Sequence, residues 1–149
     1  MAKDISHAIE IAAPPEAVWA VLTDLSNYPQ WHPAYLSVTG QLTVGSKLTI
    51  RTTSPSTGDP ITLKVTVVTV EPDSELAWVS KVAGVTTIKR RFLLQAVDGG
   101  TALTQAGTYR GLGGGRGPGG RRGALKTLAT LQGSYAETDE AIKRQAEAL

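Results

Sequence analysis

The chain has no cysteine, and it has two histidines, His7 and His32, in 149 residues. The first absence excludes disulfide frameworks and thiolate metal sites, and the second excludes a multi-histidine metal site. No metal or other cofactor is expected. No run approaches the roughly 18 apolar residues of a membrane span. Met1 to Glu10 has no apolar run resembling a signal peptide, so a cytoplasmic location is the expectation. A net charge of +2 is too small to imply a nucleic-acid or anionic-membrane partner. The remainder is ordinary globular composition, 41% hydrophobic and 19% charged, and one domain over residues 1–149 is expected. Homodimerisation is left open.

What is present in strength is one long amphipathic stretch, Gly123 to Leu149. Leu125, Leu128, Gln132, Tyr135, Ile142, Ala146 and Leu149 recur at intervals of three, four or seven, while Lys126, Glu137, Glu140, Lys143, Arg144 and Glu147 fall mostly outside that stripe. The pattern predicts a helix over about 124–147. At this length it spans roughly 35 to 40 Å, and only a broad surface can cover its apolar stripe. The rest of the chain offers a sheet.

Ile5, His7, Ile9 and Ile11 alternate with polar or small residues, the period of a strand with one buried face. Pro14 and Pro15 stop it and suit the first turn of a helix, with Glu16 at its positive end and Val18, Val21, Leu22 and Leu25 at helical spacing. Ser26 is placed to cap a second short helix through Asn27 to Trp31, which Pro33 ends. Short alternating runs follow, separated by turn chemistry at Val44-Gly45-Ser46, Ser54 to Pro60, Glu71-Pro72-Asp73, Ala83-Gly84 and Asp98-Gly99-Gly100. Their short connections favour antiparallel pairing, with about six or seven strands in all. Gly111 to Gly123, with eight glycines in thirteen residues, reads as a flexible connection or a lid. Its Arg116, Arg121 and Arg122 do not make a phosphate loop, because Gly120 is followed by arginine and not by Lys and then Ser or Thr.

Several ordered motifs together carry a family resemblance. Ala12 to Asp24 (AAPPEAVWAVLTD), Tyr28-Pro29-Gln30-Trp31, Val70-Glu71-Pro72 with Leu76-Ala77-Trp78, and Arg91-Phe92 with Gly100 to Thr104 (GTALT) resemble the polyketide cyclase/dehydrase-like branch of the START-like (SRPBCC) superfamily. The resemblance covers almost the whole chain. It implies an α+β helix-grip fold, in which a curved antiparallel sheet wraps around the C-terminal helix with an elongated cavity between them. Relatives include aromatic polyketide cyclases, lipid and quinone carriers, hormone-binding proteins and activators of a chaperone ATPase, so the fold does not fix the function. Many carry a histidine and an acidic residue near the sites of Gln105 and Ala106 or Gly107, and a histidine at the site of Arg90; this chain departs from that pattern at each.

Candidate site residues follow from strand parity. Arg90 shares a face with Ile88, Phe92 and Leu94, so its guanidinium points inward unless a bulge shifts the register, and a buried cation needs an anion or an internal acid. Gln105 and Tyr109 share parity with Leu103, and Tyr135 lies on the helix stripe, so each could hydrogen-bond a ligand or be satisfied within the core. Trp78, Phe92 and Leu128 would form apolar walls, and Trp31, His32 and Tyr35 follow the short helix at what resembles the family's cavity mouth. His32 is the default acid/base candidate, against the alternative that it packs on neighbouring rings. Three functions are expected in order: binding of a small hydrophobic or aromatic, polyketide- or lipid-like ligand; a cofactor-free cyclase, dehydratase or isomerase using His32, Arg90 and Tyr109; and a protein-interaction module with a collapsed cavity.

Overall fold

A computed structural model describes residues 2–53, 58–82, 86–110 and 120–148, with the side chains of the last helix described from residue 133 onward. The elements run β1 (Ala2–Ile11), α1 (Pro15–Thr23), a single 3-10 turn at Leu25–Asn27, α2 (Tyr28–Trp31), β2 (Ser37–Thr39), β3 (Lys47–Thr53), β4 (Pro60–Glu71), β5 (Glu75–Val82), β6 (Thr86–Val97), β7 (Gly100–Arg110) and α3 (Gly120–Glu147). The seven strands form one sheet in the order β1-β7-β6-β5-β4-β3-β2. Every neighbouring pair is antiparallel. This is the helix-grip arrangement, and the short connections from β2 onward explain it. Each strand turns back beside its predecessor, while β1 is carried to the far edge and closes on β7.

Pro15 sits in the first turn of α1 with Glu16, and Pro14 before it is extended, so the missing proline N–H costs that helix nothing. Val18, Val21 and Leu22 are the buried face. The segment after α1 departs from the expected capped helix. Leu25–Asn27 is a 3-10 turn, α2 begins at Tyr28, and the Ser26 hydroxyl bonds Asp24 Oδ1. The buried Tyr28 hydroxyl instead ties the turn down by donating to the Leu22 carbonyl at 2.6 Å.

The last helix starts at Gly120, so Gly120 to Gly123 are helical rather than part of the glycine-rich connection. The rest of that connection, 111–119, and the turns at Ser54 and Ala83-Gly84 lie wholly or partly outside the described residues. The helix packs on β1, β7 and α1. Ile142 and Ala146 join Leu48, Ile50, Val67, Leu76, Trp78, Phe92 and Leu103 in the main apolar cluster, while Tyr135 joins Ile5 and Tyr109 in a smaller one. No helix among the described residues is long and apolar enough to cross a membrane.

Candidate functional site

Along β7, Gln105 lies between Leu103 of the main cluster and Tyr109 of the smaller one, and along α3, Asp139 lies between Ile142 and Tyr135 of the same two clusters. Their placement follows from register. His7 pairs with Gln105 and Gln105 with Phe92; one step along, Ile5 pairs with Gly107, Gly107 with Arg90 and Arg90 with Trp78. Four residues of helix rise about 6 Å and two residues of strand about 6.6 Å, so α3 and β7 stay in step. Asp139 therefore meets Gln105, and Tyr135 meets Gly107 and Tyr109.

Arg90 points inward, as alternation requires; β6 is regular here and no bulge redirects it. Its Nη1 donates to the Tyr35 hydroxyl at 2.7 Å, and its guanidinium carbon lies 4.6 Å from the centre of the Tyr135 ring. Tyr135 and Tyr109 share a hydrogen bond of 2.5 Å between their hydroxyls. Burial works against the arginine charge, but the oxygens of Tyr35, Tyr135 and Tyr109 more than offset it and raise its pKa. The group stays a cation. Among the described residues no carboxylate forms an ion pair with it, and its Nε is buried without a partner. Among the described residues its direct contacts are phenol oxygens and a ring face, and the one acid it influences, Asp139, bonds His7 and Gln105 instead, so the cation has no paired anion.

The ring of Tyr35 stacks on His32 at 3.8 Å and 4°. The expected acid/base role of His32 is not supported by its surroundings. Its Nδ1 accepts the backbone N–H groups of Ala34 and Tyr35, both at 3.0 Å, and burial, reinforced by the Arg90 charge, lowers its pKa to about 3. At neutral pH it is an uncharged imidazole whose acceptor nitrogen is engaged. It shapes the loop that carries Tyr35. Trp31 packs on Tyr28 and His32 and leaves its buried indole Nε1 without a partner. Trp78 meets Phe92 edge to face at 5.6 Å. Leu128 lies outside the described side chains.

Gln105 is fully buried, but its amide serves an internal partner rather than standing ready for a ligand: Nε2 donates to Asp139 Oδ1 at 3.3 Å, and Oε1 has no partner. The other Asp139 oxygen bonds His7 Nδ1 at 2.6 Å. Burial raises the Asp139 pKa to about 6, against the opposing pull of His7, Gln105 and Arg90. Sequence reasoning missed Asp139 and set His7 aside. A signal for it existed, because the step from Tyr135 to Ile142 along the helical stripe requires buried residues near 138 and 139, and both Thr138 and Asp139 are polar.

The structure thus brings together Arg90, Tyr35, Tyr109 and Tyr135, with His7, Gln105 and Asp139 in the adjoining layer. The profile of the polyketide cyclase/dehydrase and lipid transport family matches residues 2–147. The chain belongs to this family. Comparison with curated protein sequences finds no match. Among solved structures, the di-domain ARO/CYC StfQ from the steffimycin biosynthetic pathway superposes with a TM-score of 0.83 at 14% identity, covering 99% of this chain and 52% of StfQ. This chain therefore spans about half the length of StfQ. The Zhui aromatase/cyclase from Streptomyces sp. R1128 gives 0.76 at 17% identity, covering 99% of this chain and 94% of that one. Ara h 8.0201 gives 0.71 at 14% identity with complete coverage of both. At these identities the likeness is one of fold.

Proposed function

We propose that this family member binds a small hydrophobic or aromatic ligand, polyketide- or lipid-like in character, between the sheet and α3, and that Arg90 anchors an anionic oxygen of that ligand. The observation that carries the reading is the inward-facing Arg90 cation, ringed by Tyr35, Tyr109 and Tyr135 with no carboxylate partner among the described residues. A carboxylate, enolate or phenolate would supply the missing charge through charge-assisted hydrogen bonds, and Trp78 and Phe92 supply apolar surface beside it. Family membership supports the same class of ligand. One domain spanning the chain and a cytoplasmic place of action complete the reading. Mass spectrometry of organic extracts from the freshly purified protein tests it: a retained aromatic or long-chain acid is expected, and a retained cationic metabolite would contradict it.

A second reading, a cofactor-free cyclase or dehydratase, is favoured by one specific observation. The His7–Asp139 pair lies in the layer next to Arg90 and contains a carboxyl with a pKa of about 6, suited to proton transfer near neutrality. In that reading Arg90 and Tyr109 stabilise an enolate while His7 and Asp139 move the proton, in place of His32. Turnover of an aromatic β-ketone substrate that is lost in Asp139→Asn, with binding retained, would select it over carriage alone.

A further inference from the structure

We propose that the convex face of the sheet carries a second site, a basic dish that takes a multiply charged phosphate group. A net charge of +2 conceals how the cations are distributed over the surface. Alternation turns Leu48, Val65, Trp78 and Ile88 to the interior and Lys47, Lys64, Lys81 and Lys89 to the opposite face. Register then assembles them. Lys47 pairs with Thr66, Thr66 with Val79 and Val79 with Lys89, giving one row across four strands. In the next row Thr49 pairs with Lys64, and the Val65–Ser80 pairing brings Lys64 beside Lys81.

Like charges placed side by side across strands are destabilising, and an acid at either position would relieve the repulsion. Here none does. Among the described residues Lys47, Lys64 and Lys81 form no ion pair. Glu75, also on this face, is occupied by Arg91, whose Nε and Nη2 donate to it at 3.0 and 3.2 Å; Glu71 stands opposite Glu75 at that same end. Both carboxylates are four or more residues along the strands from Val79, roughly 13 Å away. Lys47, Lys64, Thr66, Val79 and Lys81 line a depression of about 300 Å³. Its floor is small and β-branched, its rim is three ammonium groups, and the Thr66 hydroxyl is a further donor.

Three mobile point charges around a compact hollow match a spherical polyanion better than a planar carboxylate, which favours the forked geometry of arginine. A phosphate monoester or diphosphate has the charge and the size. The site lies on the opposite face of the sheet from Arg90 and is independent of the interior ligand. The same chemistry is offered by a soluble phosphate ester or by a lipid headgroup, and two arms of one experiment separate them.

In the first arm, pyrophosphate is titrated at low salt into the full chain while backbone amide NMR shifts are followed. Saturable shifts confined to Lys47, Lys64, Thr66, Val79, Lys81 and their neighbours are expected. Lys64→Gln/Lys81→Gln should weaken binding by about tenfold, the loss expected for two exposed charge contacts, whereas Arg144→Gln on α3 should leave it unchanged. In the second arm, the same proteins are pelleted with phosphatidylcholine vesicles with and without phosphatidic acid. Pelleting that needs both the acid lipid and the two lysines identifies a headgroup site, and its absence identifies a soluble ester. No saturable shift at these residues, or binding indifferent to the double substitution, overturns the proposal.

Discussion

The hydroxyl of Tyr135 occupies the space that a side chain at residue 107 would need: a Cβ built on Gly107 would stand 1.9 Å from it. Gly107 is also the cross-strand neighbour of Arg90. The missing side chain on β7 is therefore what lets a helix tyrosine come down onto the sheet beside the arginine and meet Tyr109. The tyrosine pair and the half-buried arginine form one unit, held by a close approach.

Gly107→Ala should accordingly destabilise the fold by about 1 to 3 kcal/mol, the usual cost of overpacking. Adding Tyr135→Phe should recover part of that loss, because the clashing oxygen is removed. Denaturant melts of the two variants measure both effects. An alanine variant as stable as the parent would show that Tyr135 has another place to go.

Ile142 tests the grip itself. It is fully buried in the main cluster beneath α3, and Ile142→Ala should cost about 2 to 5 kcal/mol. An unchanged melt would mean that α3 does not close the core.

Asp139 makes stability depend on pH in a direction opposite to most carboxylates. Its folded-state pKa, about 6, lies above the ordinary value of 3.8 because burial penalises the ion. The native state therefore holds this proton more tightly than the unfolded chain does. The contribution is fully present below about pH 3.8 and is lost as pH rises through about 6. At 1.36 kcal/mol per pH unit it amounts to at most about 3 kcal/mol. Urea melts between pH 4 and 7 should show this loss in the parent, and Asp139→Asn should remove it. An unaltered pH profile in the variant would place the titration elsewhere.

Much of this was legible in the chain. Strand parity alone placed Arg90, Tyr109, Trp78 and Phe92 on the inner face, and the helical stripe placed Tyr135 opposite them, because periods of 2 and 3.6 survive in any single sequence. The turn at Asp98-Gly99 was equally plain, and Gly99 adopts φ 81° there. The His7–Asp139–Gln105 cluster was not read, because it joins the first strand to the last helix across 132 residues and depends on three-dimensional register. For His32 the sequence left two readings open, acid/base chemistry or packing on neighbouring rings, and it is found stacked on Tyr35. Its residue type fits acid/base chemistry, but the two backbone N–H groups that engage its Nδ1 come from the turn geometry at Ala34 and Tyr35. The convex lysines were hidden by the small net charge, since only pairing shows that cations distant in sequence share one patch.

In the function proposed above, Arg90 is the polar anchor of the interior ligand. The direct test is calorimetric titration of paired aromatic ligands, identical except for a carboxylate in one and an amide in the other, into the parent and Arg90→Met, which keeps length and apolar bulk. The parent should prefer the carboxylate by ~1.5 to 3 kcal/mol, the contribution of a hydrogen bond to a charged group, and the variant should lose that preference while still binding both. Equal affinity for the two ligands in the parent, or a carboxylate preference that survives in Arg90→Met, would contradict the account.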